Sequence, residues 1–155
     1  MIQRIQSVFL LLLAICMACV LFLPIWSKTD PLSNQTLTLT ATQLSSTTPT
    51  VPGMATYAIA ALAAASALVA LIEIFQFRKR MTQLMLGSLN LLLISATIGA
   101  SFYYVREADQ LLNVKIPGEF EAGFYLPTLA LMLNLLANRF IRSDEKLVRS
   151  MDRLR

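Results

Sequence analysis

Phe75-Gln76-Phe77-Arg78-Lys79-Arg80-Met81-Thr82-Gln83 is the stretch on which the fold turns. Its three adjacent cations, Arg78, Lys79 and Arg80, separate two apolar runs, residues 54–77 and 81–105. A hydrocarbon core of about 30 Å takes roughly 20 apolar residues of helix, and each run is long enough. Two further runs reach that length on either side, residues 5–26 and 120–141. The expectation is an all-α integral membrane protein, a single domain over residues 1–155 built as a four transmembrane helix bundle. Outer loops then cover residues 27–53 and 106–119, and a tail covers 142–155.

Composition points the same way. Of the residues, 56% are hydrophobic and 14% charged, and the mean hydropathy is +0.63, which is far from soluble norms. A net charge of +4 raises the question of nucleic acid, but the cations sort by side of the expected bilayer. Arg4, Arg78, Lys79, Arg80, Arg139, Arg142, Lys146, Arg149, Arg153 and Arg155 fall on one side, leaving Lys28, Arg106 and Lys115 on the other. Positive charge favours the cytoplasmic side, so both termini are expected in the cytoplasm, with Arg78, Lys79 and Arg80 determining the orientation. No nucleic-acid partner is expected, whereas membrane lipid is.

Residues 1–6 and the apolar run after them have the outline of a signal peptide, but the run exceeds the usual 7–15 residues. It ends at Pro24 and Trp26, where an interfacial aromatic belongs, so an uncleaved anchor is expected. Ser7, Ala14 and Ala18 give it a small-residue face. Cys16 and Cys19 lie inside this apolar segment and read as small packing residues.

The first outer loop turns to Ser and Thr with Pro31, Pro49 and Pro52. Within it Thr36-Leu37-Thr38-Leu39-Thr40 alternates with period two, the signature of a strand. Leu111-Leu112-Asn113-Val114-Lys115-Ile116 in the second outer loop is the expected partner, making a small extracytoplasmic β element. Asn34-Gln35-Thr36 matches a glycosylation sequon, a short signal that arises often by chance.

The alanines of the second run invite close helix approach and a central place. On the third run Gln83, Asn90, Thr97 and Ser101 form one polar stripe, and Ser88, Ser95 and Gly99 nearly the opposite one, so two neighbours are expected. On the fourth, Gly123, Pro127, Ala130, Asn134 and Asn138 share a face. In the tail, Phe140, Asp144, Leu147, Met151 and Leu154 recur at helical spacing. With Ser143 as N-cap, a separate amphipathic helix is expected there.

The opening Met1-Ile2-Gln3-Arg4-Ile5-Gln6 and the close Asn138-Arg139-Phe140-Ile141-Arg142, followed by Asp144-Glu145-Lys146-Leu147-Val148-Arg149-Ser150, resemble an uncharacterised family of Bacteroidota membrane proteins, domain of unknown function 4293. The resemblance implies a bacterial inner-membrane protein with four helices. It implies no activity, substrate or catalytic residue.

Chemistry-bearing motifs are sparse. Histidine is absent, which removes the usual haem ligand, zinc ligand and general base. There is no phosphate-binding glycine loop or nucleophile elbow, and no catalytic residue, cofactor or metal is expected. Glu73 is the formal charge set furthest from the ends of a membrane run, near enough to Arg80 for pairing or for contact with water. Glu73, Asn90, Asn134 and Asn138 form the candidate intramembrane polar cluster. The candidate docking or lipid-facing tail is Arg142, Lys146, Leu147, Arg149, Met151, Arg153 and Leu154. The reading is a non-catalytic accessory or scaffold subunit, with a protein partner or a homo-oligomer in the membrane. The alternative is a small transporter, channel or lipid-handling protein using the polar cluster around Glu73.

Overall fold

The computed structural model describes residues 2–31, 34–47, 54–76, 79–111 and 117–152. Helices α1 (Ile2–Val20), α2 (Tyr57–Phe75), α3 (Arg80–Gln110) and α4 (Ala122–Asp152) carry most of it. Strands β1 (Trp26–Asp30), β2 (Gln35–Leu39), β3 (Leu44–Ser46) and β4 (Glu119–Phe120) fill the connections at one pole. The helices form a closed ring in which α1 packs on α2 and α4, and α3 packs on α2 and α4. Thus α2 has the same two-neighbour position as every other helix, and the central place expected from its alanines is not found. Small residues allow close approach, but a four-membered ring has no central member.

α1 ends earlier than its apolar run predicts. It stops at Val20 rather than near Trp26, because Pro24 excludes helical backbone at Leu23 and Trp26 is already the first residue of β1. Its apolar part, Ile5–Val20, is therefore shorter than a full span, whereas α2, Met81–Gln110 and Ala122–Ser143 are each long and apolar enough to cross a membrane. α3 runs on past the expected end at 105. α4 continues past Ser143 as one helix, so the separate tail helix capped by Ser143 is not formed. No Pro or Gly stands between Asn134 and Asp152 to interrupt the helix, and a serine alone is a weak breaker. Pro127, near the start of α4, costs the helix little there.

The sheet order is β3-β2-β1-β4, and each pair is antiparallel. The alternating segment expected at Thr36–Thr40 is β2, shifted by one residue. Its main partners are β1 and β3, both from the same loop, with Trp26 opposite Leu39 and Leu39 opposite Leu44. The expected partner strand at 112–116 lies outside the described residues. The second loop nevertheless joins the sheet through β4, where Phe120 faces Trp26. Asn34, in the β1–β2 turn, holds a left-handed conformation (φ 50°) that asparagine tolerates better than most residues.

This cap is stitched to the helix ends. Thr56 is buried, and its hydroxyl donates to the Thr40 carbonyl (2.8 Å), while the Ala60 amide donates to the Ala41 carbonyl (3.2 Å). Lys28 of β1 donates from Nζ to Asp109 Oδ1 (2.6 Å) and to the Asp109 carbonyl (3.1 Å), at the C-terminal turn of α3 where a cation suits the helix dipole. At the other pole Phe9 of α1 stacks on Phe140 of α4 with centroids 5.6 Å apart.

The interior mixes large apolar side chains, Leu10, Leu13, Met17, Ile59 and Ile94 among them, with Ala63, Ala70, Ala130 and Ala137 and with Ser66, Glu73, Asn90, Thr97 and Asn134. Leu68, Ile72, Leu92 and Met132 point outward and are half exposed or more. Small and polar residues at helix contacts let the backbones approach closely.

Candidate functional site

The inward face of α2 is the stripe Ile59, Ala63, Ser66, Ala70 and Glu73. Facing it on α3 is the buried stripe Gln83, Gly87, Asn90, Ile94, Thr97 and Ser101. The two helices run antiparallel, so the ends of the stripes meet in reverse order. Near the turn that joins the helices, Gln83 Nε2 donates to the Glu73 carbonyl (3.4 Å). Two turns further in, the Ser66 hydroxyl donates to Asn90 Oδ1 (2.6 Å).

Between α3 and α4 the contact centres on Gly87. Asn134 Nδ2 donates to the Gly87 carbonyl (3.0 Å), and Asn138 Nδ2 donates to Asn134 Oδ1 (3.4 Å). A Cβ on Gly87 would overlap the Asn138 amide, so glycine is what lets that side chain rest on the α3 backbone.

Of the four cluster candidates, Asn134 and Asn138 thus touch each other, and both meet α3 at Gly87. Asn90, three residues further along α3, is joined to Ser66 instead. Glu73 makes no described side-chain hydrogen bond to the three asparagines. Its carboxyl is 0% exposed, so the expected contact with water is not found, and a pairing with Arg80 lies outside the described side chains. Among the described residues both Glu73 carboxylate oxygens, Asn90 Nδ2 and Asn138 Oδ1 are buried without a hydrogen-bond partner. The stripe Ser88, Ser95 and Gly99 on α3 faces outward, and nothing lies near a Cβ built on Gly99. Ser88 and Ser95 bond back to the carbonyls of Met85 (2.8 Å) and Leu91 (2.9 Å), so they need no partner helix. A helix in a four-membered ring shows a single face to the centre and meets both neighbours from it.

Lys79 is exposed in the turn before α3, and Arg80 begins that helix, while Arg78 lies outside the described residues. In the tail, Arg142 is exposed, and Lys146, Leu147, Arg149 and Met151 are helical in backbone; Arg153 and Leu154 lie outside the described residues. Cys16 and Cys19 are free thiols, half-buried in α1.

Sequence reasoning missed Gly87, because a lone glycine in an apolar run has no periodic signal, and Ser66, which is hidden in a run of alanines. It also missed the pairing of Lys28 with Asp109, residues from two different loops.

Chemically, the interior offers amides, hydroxyls and one carboxyl. Among the described residues no group of three metal-ligating side chains comes together. No curated protein matches the chain. The family described as domain of unknown function (DUF4293) matches residues 2–154, which is nearly the whole sequence, and the chain therefore belongs to that family.

Proposed function

We propose that the chain is a non-catalytic scaffold or accessory subunit of the bacterial inner membrane, with both termini in the cytoplasm and α4 as its docking arm. The observation that carries this reading is the continuity of α4. Its 31 residues span about 46 Å at roughly 1.5 Å per residue, about 15 Å more than a hydrocarbon core. A rigid rod therefore leaves the bilayer in line with the bundle, and it bears Asp144, Glu145, Lys146, Arg149 and Asp152. Charges of both signs suit a protein partner, or a second copy, better than a purely anionic surface. The amide of Asn134 and the hydroxyl of Ser66 are engaged in bonds between helices, which also favours a framework over a pathway.

Deletion of residues 146–155 tests the reading. The shortened chain is expected to insert normally and to lose its co-purifying partner in mild detergent. An unchanged partner set would remove the docking role.

A second reading, transport of a proton or small cation, is favoured by the Glu73 carboxyl, buried with neither oxygen partnered among the described residues. Glu73→Gln separates the two. A scaffold keeps expression, insertion and function in this variant, whereas a transporter keeps expression and loses function.

A further inference from the structure

A groove of about 450 Å³ opens between α3 and α4 at the pole away from the sheet. Leu84, Leu91 and Leu135 line its apolar part, and Ser88, Asn138, Arg139, Arg142 and Ser143 its polar part. Along α4 the two kinds of residue are ordered, and on α3 Ser88 stands between Leu84 and Leu91. Leu135 lies a full turn deeper than Arg139, and Leu91 is about 17 Å along α3 from its first residue, Arg80. Arg142 and Ser143 end the apolar length of α4. The groove is thus cationic at its mouth, with both arginines exposed, Leu91 and Leu135 deeper, and no carboxylate among its described lining residues. It also includes Asn138, whose Oδ1 is a buried acceptor without a partner among the described residues.

We infer that this groove binds a single anionic phospholipid, its phosphate held by Arg139 and Arg142 and one acyl chain lying along Leu84, Leu91 and Leu135. The inference rests on the membrane reading above, since the bilayer leaflet supplies the ligand. Several features match that occupant. A guanidinium pair presents planar forks of donors to phosphate oxygens. The order of polarity in the groove is that of a phospholipid in the cytoplasmic leaflet, and basic pockets between helices on that side are fitted to anionic headgroups. Ser143 adds a hydroxyl beside Arg142, whereas Ser88 lies deeper, between Leu84 and Leu91 on α3. A soluble phosphate would use the arginines but gain nothing from the three leucines.

The test uses the full-length chain in nanodiscs of phosphatidylcholine, alone or mixed with phosphatidylglycerol. Lipid retained after gentle detergent extraction is counted by native mass spectrometry. The wild-type chain is expected to retain one phosphatidylglycerol in preference to phosphatidylcholine. Loss of both cations in Arg139→Gln/Arg142→Gln is expected to lower that preference roughly thirtyfold. Ser88→Phe fills the groove without changing charge and is expected to lower it as well, with circular dichroism confirming that each variant keeps its helices. Lys79→Gln removes an exposed cation outside the groove and should leave the preference unchanged; an equal loss in this variant would reduce the effect to general surface charge and overturn the site. Displacement of the lipid by inorganic phosphate would likewise overturn it in favour of a soluble anion. A chain released from membranes by alkaline carbonate would overturn the membrane reading and this site with it, whereas a chain that stays embedded but retains both lipids equally would overturn the site alone.

Discussion

Gly87 carries a side chain from the neighbouring helix directly on its Cα, which makes it the most sensitive small residue of the α3–α4 contact. Gly87→Ala forces the Asn138 amide away and disturbs the bond from Asn134 to the Gly87 carbonyl. A loss of about 1–3 kcal/mol is expected, typical of overpacking at a tight contact, and a lowered Tm in detergent would register it. Gly123 is held differently: a Cβ there would stand 2.5 Å from the Pro24 carbonyl oxygen, which is backbone and cannot swing aside. At the sheet pole, Lys28 is only 2% exposed and leans on Asp109, which is itself partly open to solvent. Asp109→Asn leaves the ammonium with a neutral amide and the Asp109 carbonyl, so a cost of about 1–3 kcal/mol is expected. Thermal melts of Asp109→Asn and the double variant Lys28→Met/Asp109→Asn check this. The double variant is expected to recover part of the loss, since it removes the stranded charge; a double variant no more stable than Asp109→Asn alone would count against a stranded charge as the cause.

Among the elements, the sheet and α4 depart most from simple expectation. β1 pairs with β2 along its length and with β4 at Trp26 and Ser27, and β2 lies between β1 and β3, so the paired amides have little contact with water. Hydrogen exchange across Trp26–Asp30 and Gln35–Leu39 is expected to be slow, and exchange at the rate of an open loop would show that the cap does not persist in solution. In α4 the helix passes through Ser143 without a break. Ser143→Pro removes an amide donor and clashes with the turn before it, at a cost of about 3 kcal/mol to that helix. The bundle itself is expected to stay folded, because the buried α4 residues among those described, through Ile141, all precede the substituted position. Spin labels placed on either side of residue 143 should report a fixed distance in the wild-type chain and a broadened one in the proline variant. An equally sharp distance in both would mean that the rod is not a single helix to begin with.

For the whole molecule, the expectation from charge is a ring of helices across the bilayer with the sheet outside. Three helices are long and apolar enough to cross, whereas the apolar part of α1, Ile5–Val20, is shorter than a full span. Membrane-impermeant labelling of single cysteines introduced at Ser45 and Ser150, in a background without Cys16 and Cys19, is expected to modify Ser45 alone in intact cells. Modification of Ser150 alone would reverse the orientation. The same ring accounts for the interior polar groups: each interhelical hydrogen bond is worth only about 0.6 kcal/mol in such bundles, so Asn134→Leu is expected to be mild. Melting in detergent with Tm scarcely lower than wild type would agree with this, and collapse of the fold would assign Asn134 a larger role.

Length, apolar composition and periodicity were enough to identify the helical segments, the alternating strand at Gln35–Leu39, and the inward faces bearing Glu73, Asn90 and Asn134. These properties are local, and each is written within one or two helical turns or a few alternating residues. Tertiary structure decided what local pattern does not encode. It joined β1, β2 and β3 from one loop with β4 from another, set Lys28 against Asp109, and brought Asn138 onto Gly87, all contacts between residues far apart in the chain. It also divided the expected cluster. Closing four helices into a ring leaves each with one inward stripe, and antiparallel register along that stripe matched Asn90 to Ser66 and left Glu73 two turns away, a pairing that depends on how the helices pack rather than on which residues they contain.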